Sequence, residues 1–187
     1  RFGQVRGTSA DLTSVTVNGN RLPSAEGDTR NVQLDLIPSD MVQTIEVNKV
    51  VTSDMDGDAI GGAINLVIKN TPSHRVLNFT LGSGHTWISD KQQWNIGATW
   101  GDRFFNDKLG VMASASYQYA PGGSDNTEFE YEMGDENIEL KEAQVRQYYV
   151  TRERQSYSLA FDYKINPLNK ISFKGIYNRR NDWENRY

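Results

Sequence analysis

From Leu77 to the end of the chain, apolar and polar residues alternate with a period of two. Leu77, Phe79 and Leu81 are interleaved with Asn78, Thr80 and Gly82. Trp94, Ile96, Ala98 and Trp100 are interleaved with Asn95, Gly97, Thr99 and Gly101. Further runs follow at Leu109 to Tyr119, Tyr157 to Ile165 and, less cleanly, Ile171 to Asn178. This is the grammar of strands with one apolar, aromatic face and one small, polar face. Before Pro72 the pattern is different. Val15-Thr16-Val17 is a short strand, and Asn18-Gly19 is the pair that most readily takes a hairpin turn, which then continues into Arg21-Leu22. Pro23 to Asn31 reads as a polar loop, Ile37 to Val42 as a single helical turn with Pro38 near its start, and Thr44 to Val51 and Ala63 to Lys69 as strands. Gly61-Gly62 sits where backbone must turn or approach closely.

The alternating runs predict strands of about 10 residues, the length a tilted strand needs to cross a bilayer. Trp94 and Trp100 bracket one run, while Tyr117 and Tyr119 close another, where an aromatic girdle would lie. A soluble sandwich alternates as well, so the pattern alone leaves both architectures open. Asn106 to Lys108 and Asn166 to Asn169 read as short turns, and Ala120 to Val150 as a long polar loop. Short turns on one side and long loops on the other are the habit of outer-membrane barrels. So few strands cannot close a barrel, and both ends of the chain (Arg1, and Tyr187 within a strand pattern) suggest a stretch of a longer protein.

Composition narrows the choice. Hydrophobic residues are 37 % of 187, and no run is long enough for a membrane-crossing helix, which leaves a β-barrel open. A net charge of −4 argues against a nucleic-acid partner. There is no cysteine, and there are two histidines, His74 and His85. Little material remains for metal or nucleophilic chemistry, so no catalytic residue, metal site or cofactor is expected. Aromatic residues before Pro72 are reduced to Phe2, and Thr71-Pro72-Ser73 marks the expected boundary between a domain over 1–72 and another over 73–187.

The first part carries Val5-Arg6-Gly7, Val15-Thr16-Val17-Asn18-Gly19, Leu36-Ile37-Pro38, Ile45-Glu46-Val47 and Ala59-Ile60-Gly61-Gly62-Ala63-Ile64-Asn65-Leu66, in that order. This succession resembles the plug domain of TonB-dependent outer-membrane receptors. The motif residues are Gly7, Gly19, Gly61, Gly62 and Asn65. The resemblance implies a mainly β protein: the C-terminal part of a small α/β plug, then the first strands of a transmembrane antiparallel β-barrel of about 22 strands. It also implies TonB-driven uptake of a bulky nutrient, of glycan or iron-chelate and haem type, across the outer membrane of a Gram-negative bacterium. The TonB-contacting segment of such receptors precedes the plug and is not in this chain. Met55-Asp56, within the Asp-rich stretch Thr52 to Asp58, stands where many members carry an aromatic-Gly pair before the Ala-x-Gly-Gly motif; this version resembles that of receptors in glycan-using bacteria, which implies a carbohydrate ligand.

Individual residues carry weaker signals. Arg21, Glu26, Asp28 and Arg30 lie in or beside the loop that the resemblance places at the plug apex facing ligand; an ordinary solvated loop fits equally. Arg6 and Glu46 read as plug ion pairs, either gating or static. Asp54, Asp56 and Asp58 look like the start of a calcium loop, but Ala59 and Asn65 stand where such a loop needs Gly and Glu. The acidic run from Asp125 to Glu142 reads as a hydrated outer loop, or as a steering surface for a cation or a partner. Arg152, Arg154, Arg179 and Arg180 are candidate contacts for lipopolysaccharide phosphates. The expected partners are the TonB complex, outer-membrane lipid and lipopolysaccharide, a small-molecule or oligosaccharide ligand, and a surface lipoprotein. Two other readings stand beside the transporter: a surface binding or adhesion receptor on the same barrel, and a soluble β-rich carbohydrate-binding module.

Overall fold

A computed structural model describes residues 2–24, 32–53, 55, 57, 59–134 and 137–187. Its strands are β1 (Thr13–Val17), β2 (Asn20–Arg21), β3 (Val42–Asn48), β4 (Gly62–Ile68), β5 (Val76–Thr86), β6 (Lys91–Phe104), β7 (Leu109–Met133), β8 (Ile138–Asn166) and β9 (Asn169–Arg186). Single 3-10 turns at Ala10–Leu12, Leu34–Leu36 and Ser39–Met41 supply its helical content. Two sheets form, in the orders β2-β1-β4-β3 and β5-β6-β7-β8-β9. By compactness the chain divides into a unit of Arg1–Phe79, Gly97–Ser116 and Ser156–Asn178, and a unit of Thr80–Ile96, Tyr117–Gln155 and Arg179–Tyr187.

The smaller sheet follows from local chemistry. Asn18 and Gly19 take φ of 50° and 80°, the left-handed pair of a tight hairpin turn, and Thr16 pairs with Arg21 across it. The Asn18 side chain then accepts from the Ile68 amide at 3.1 Å, fastening the turn to β4. β1 pairs with β4 in parallel and β4 with β3 in antiparallel register, placing Val15, Ile64 and Val47 in one row. Val15, Val17, Ile64, Leu66 and Ile68 face the core together with Val5, Val32 and Ile37, and Ile176 of β9 packs against this cluster. Each buried aliphatic contributes about 1.5–3 kcal/mol relative to exposure.

Gly62 is the one position in this sheet where only glycine fits. Its φ is +138°, and a Cβ there would lie 2.7 Å from both the Asn48 carbonyl oxygen and Val5 Cγ1. Gly61 is similarly crowded by the Thr8 side chain and the Leu12 carbonyl.

In the larger sheet, consecutive strands are joined by tight turns at Trp87–Asp90, Phe105–Lys108 and Pro167–Leu168, and Gly134 N–H donates to the Asn137 carbonyl at 2.9 Å. Such short links permit only antiparallel neighbours. The sheet is an open meander with β5 and β9 at its edges.

The stretch expected as a long polar loop, Ala120 to Val150, is instead largely strand: β7 runs 25 residues and β8 runs 29. The acidic residues hid a continuing alternation, in which Phe129, Tyr131 and Met133 are spaced by Glu130 and Glu132, answered by Ile138 and Leu140 around Glu139. Cross-strand ion pairs hold the two arms, Lys141 to Glu130 at 3.3 Å and Arg146 to Glu128 at 2.6 Å.

The burial of the faces is reversed from that of a water-soluble sheet. Buried positions include Gly97, Thr99, Gly101, Gly110, Met112, Ser114, Ser156, Ala160 and Asp162. The aromatic face is the uncovered one: Leu77 and Phe79 are both 70 % exposed, and Leu159, Phe161, Tyr163, Phe173 and Tyr177 are exposed as well. Phe161 stacks on Phe173 with ring centres 5.3 Å apart, on the face that nothing in the chain covers among the described residues.

Gly62→Ala should lower the stability of the smaller sheet by roughly 2–4 kcal/mol, because the new Cβ meets backbone and an unfavourable φ together. Gly57→Ala, with open space around it, should stay within about 0.5 kcal/mol. Denaturant midpoints of the two variants test this, and equal midpoints would refute it.

Candidate functional site

Two clusters of polar groups stand out, both in the first unit. The first lies on the side of the small sheet opposite its core. Asn65, at the middle of β4, is its hub. Its amide oxygen accepts from Thr16 Oγ1 and from the Gly19 N–H, each at 3.0 Å, and its Nδ2 donates to Glu46 Oε2 at 2.8 Å. One side chain thereby ties β1, the hairpin turn and β3 to β4. Around it is a cleft of about 240 Å³, lined by Ser14, Thr16, Glu46, Asn48, Asn65 and the edge of Met55.

The second cluster anchors the segment that follows β4. Asp162 on β8 is almost fully buried, and Arg103 at the end of β6 grips it with a two-pronged contact, Nη2 to Oδ2 at 3.0 Å and Nη1 to Oδ1 at 3.3 Å. Thr71 Oγ1 also donates to Asp162 Oδ1. Arg103 donates further to the carbonyls of Pro72 at 3.3 Å and Asp107 at 2.9 Å, and Lys170 stands 3.8 Å from Asp162. Room for this arrangement comes from two glycines. A Cβ on Gly110 would lie 2.5 Å from Asp162 Oδ1, and one on Gly101 would lie 2.8 Å from Pro72 Cγ. Asp162 is satisfied by a charge-assisted, planar fork, the arrangement that makes a buried carboxylate tolerable.

The residues singled out from the sequence fall unevenly. Gly19, Gly62 and Asn65 take structural roles at the turn, the close approach and the hub. Gly7 has a φ of 71°. Glu46 is exposed and engaged by Asn65; Arg6 is exposed with a φ of 57°, and the described residues show no ion pair between the two. Arg21 is exposed at the end of the hairpin. Glu26, Asp28 and Arg30, and also Asp54, Asp56 and Asp58, lie outside the described residues. Arg152, Arg154 and Arg180 share the face of Ser156 and Asp162: Arg152 and Arg180 meet Asp182, and Arg154 meets Gln118 at 3.4 Å. The period of two therefore puts them on the face opposite the aromatic residues. The Arg103–Asp162–Thr71 anchor escaped the sequence. Its signal was a charge directly following a run of small residues on one side of each strand, Arg103 after Gly97, Thr99 and Gly101, and Asp162 after Ser156, Ser158 and Ala160.

Residues 2–63 match the family model described as TonB-dependent Receptor Plug Domain. That stretch, which holds the paired glycines and most of the cleft lining but ends just before Asn65, is similar to the plug domain of TonB-dependent receptors. No curated protein and no solved structure matches the chain. Among the described residues no helix is long and apolar enough to cross a membrane.

Arg103→Ala should strand the Asp162 carboxylate without its guanidinium and cost about 3 kcal/mol or more. It should also release the Thr71–Pro72 segment, read as new protease cleavage between residues 69 and 75. Unchanged stability with the segment still protected would refute the anchor.

Proposed function

We propose that this chain is part of a TonB-dependent transporter that takes up a bulky nutrient across the outer membrane of a Gram-negative bacterium. In this reading residues 1–72 are the C-terminal part of the plug, and 73–187 are the first five strands of an antiparallel barrel of about 22. The observation that carries it is the reversed burial of the larger sheet: glycines, serines and Asp162 covered, aromatic residues uncovered. A water-soluble module buries its aromatic face; a barrel wall offers that face to lipid and turns the small face to the lumen. The family match over residues 2–63 supports the same reading.

Function follows from how the two clusters divide the load. The Arg103–Asp162 anchor fixes the plug's exit to the wall, whereas the plug sheet is held on its polar side by one amide hub. A pull from TonB would thus rearrange the sheet while the linker stays fixed. Arg6 and Glu46 serve as charged groups that re-pair when the plug moves. Arg21, Glu26, Asp28 and Arg30 present the plug apex to ligand, which is a glycan or an iron chelate or haem. The TonB complex and outer-membrane lipid with its lipopolysaccharide are the partners, with a surface lipoprotein as a further one. The extended β7–β8 hairpin, with exposed Phe129, Tyr131 and Met133, favours a second reading, a surface receptor that binds without transport.

Uptake separates the two. Cells carrying the receptor should accumulate its nutrient, and should lose most of that accumulation when TonB is removed, while surface binding remains. Nutrient bound but never accumulated, with or without TonB, would favour the second reading.

A further inference from the structure

The second unit holds a cavity of about 200 Å³, bordered by Gly82, Gln93, Asn95, Gln118 and Ala120, with Ser83, Trp94 and Tyr119 between them. Gly82 faces Asn95, since a Cβ on Gly82 would meet Asn95 Cβ at 3.6 Å. Gly84 faces Gln93, whose Nε2 lies 2.7 Å from where a Gly84 Cβ would be. Alternation puts the side chains of Ser83, Trp94 and Tyr119 on the opposite, aromatic face, so they give the cavity only its backbone floor. Its walls are amides and its base is glycine; no charged residue lines it. The depression is open to solvent on one side and has the size of about one sugar ring.

The amides are free to work. Gln118 Oε1 accepts from Arg154 Nη1 at 3.4 Å, which leaves its NH2 group to donate. Among the described residues the Gln93 and Asn95 side chains have no hydrogen-bond partner. Each amide offers two donors and an acceptor, the complement of vicinal hydroxyls that both give and take a proton. An anionic ferric chelate or a haem propionate would instead call for cations lining the walls.

We infer that this amide-walled, glycine-floored cavity on the small-residue face of β5, β6 and β7 is a subsite for one ring of an uncharged oligosaccharide. The inference rests on the transporter reading for its placement in the lumen, and it narrows the nutrient to neutral glycans. Gly82 leaves space for the ring, Gly84 makes room for the Gln93 side chain, and the three amides read the ring's hydroxyls.

Gly82→Leu is the direct test. The site of the new Cβ has only ordinary contacts, so the strand tolerates it, while the side chain fills the cavity. The receptor carrying this chain, extracted from membranes in detergent, is titrated by calorimetry with maltohexaose, xylohexaose, mannohexaose and laminarihexaose, and in parallel with ferrichrome and haem. At least one neutral hexasaccharide should bind. Gly82→Leu should weaken it by about tenfold or more, and Gln93→Ala and Asn95→Ala each by roughly twofold to tenfold. Heat-modifiable migration on gels confirms that each variant is folded, and the two alanine variants decide the matter if Gly82→Leu is not. No hexasaccharide binding, or binding unchanged in the folded variants, overturns the inference. TonB-dependent uptake of a ferric chelate with no hexasaccharide binding overturns the subsite alone. Hexasaccharide binding sensitive to Gly82→Leu but without TonB-dependent uptake overturns the transporter reading alone.

Discussion

Everything in the larger sheet follows from which side of each strand is covered. A strand alternates its side chains, so burying Gly97, Thr99 and Gly101 leaves Trp94, Ile96 and Trp100 on the other side. Water would drive the opposite choice, at about 25 cal/mol for each Å² of apolar surface. Hydrocarbon reverses the preference, because an aromatic or aliphatic face costs nothing there and every backbone polar group must be bonded within protein. The uninterrupted antiparallel meander meets that second demand for its inner strands. The same rule leaves β5 and β9 wanting partners wherever they meet lipid.

The covered face then has to accommodate other parts of the chain, and small side chains make that possible. Gly101 and Gly110 open the space that Pro72 and Asp162 occupy, and the Arg103 fork keeps that buried carboxylate from being a liability. The smaller sheet keeps a conventional core on one side and a polar cleft on the other. On that polar side Asn65 links β1, the hairpin turn and β3 to β4. The charged anchor and the amide-bridged sheet hold neighbouring segments of the chain by different means.

Much of this was legible from residues. Asn18-Gly19 announced its turn, the Gly61-Gly62 pair its close approach, and each alternating run became a strand. The sequence misled where charge masked periodicity: the glutamates between Phe129, Tyr131 and Met133 read as a solvated loop, although alternating glutamates are compatible with a hairpin whose two faces both meet water. It was silent where partners come from distant segments. Thr71, Arg103 and Asp162 are separated by tens of residues, and nothing local to any one of them marks the other two. The amide cavity was hidden for the same reason, since Gly82, Asn95 and Gln118 meet only once three strands are in register.

The reversed burial can be measured position by position, because the chain has no cysteine of its own and single spin labels can be introduced cleanly. Labels at Phe79, Leu159, Phe161 and Phe173 should be accessible to oxygen and shielded from a water-soluble nickel chelate in membranes. Labels at Thr99, Ser114 and Ser156, on the alternate face, should lack the lipid signature. A period of two in lipid exposure along β8 is the predicted result. Equal access of the nickel chelate to Leu159 and Phe161 would place the aromatic face in water and contradict the account.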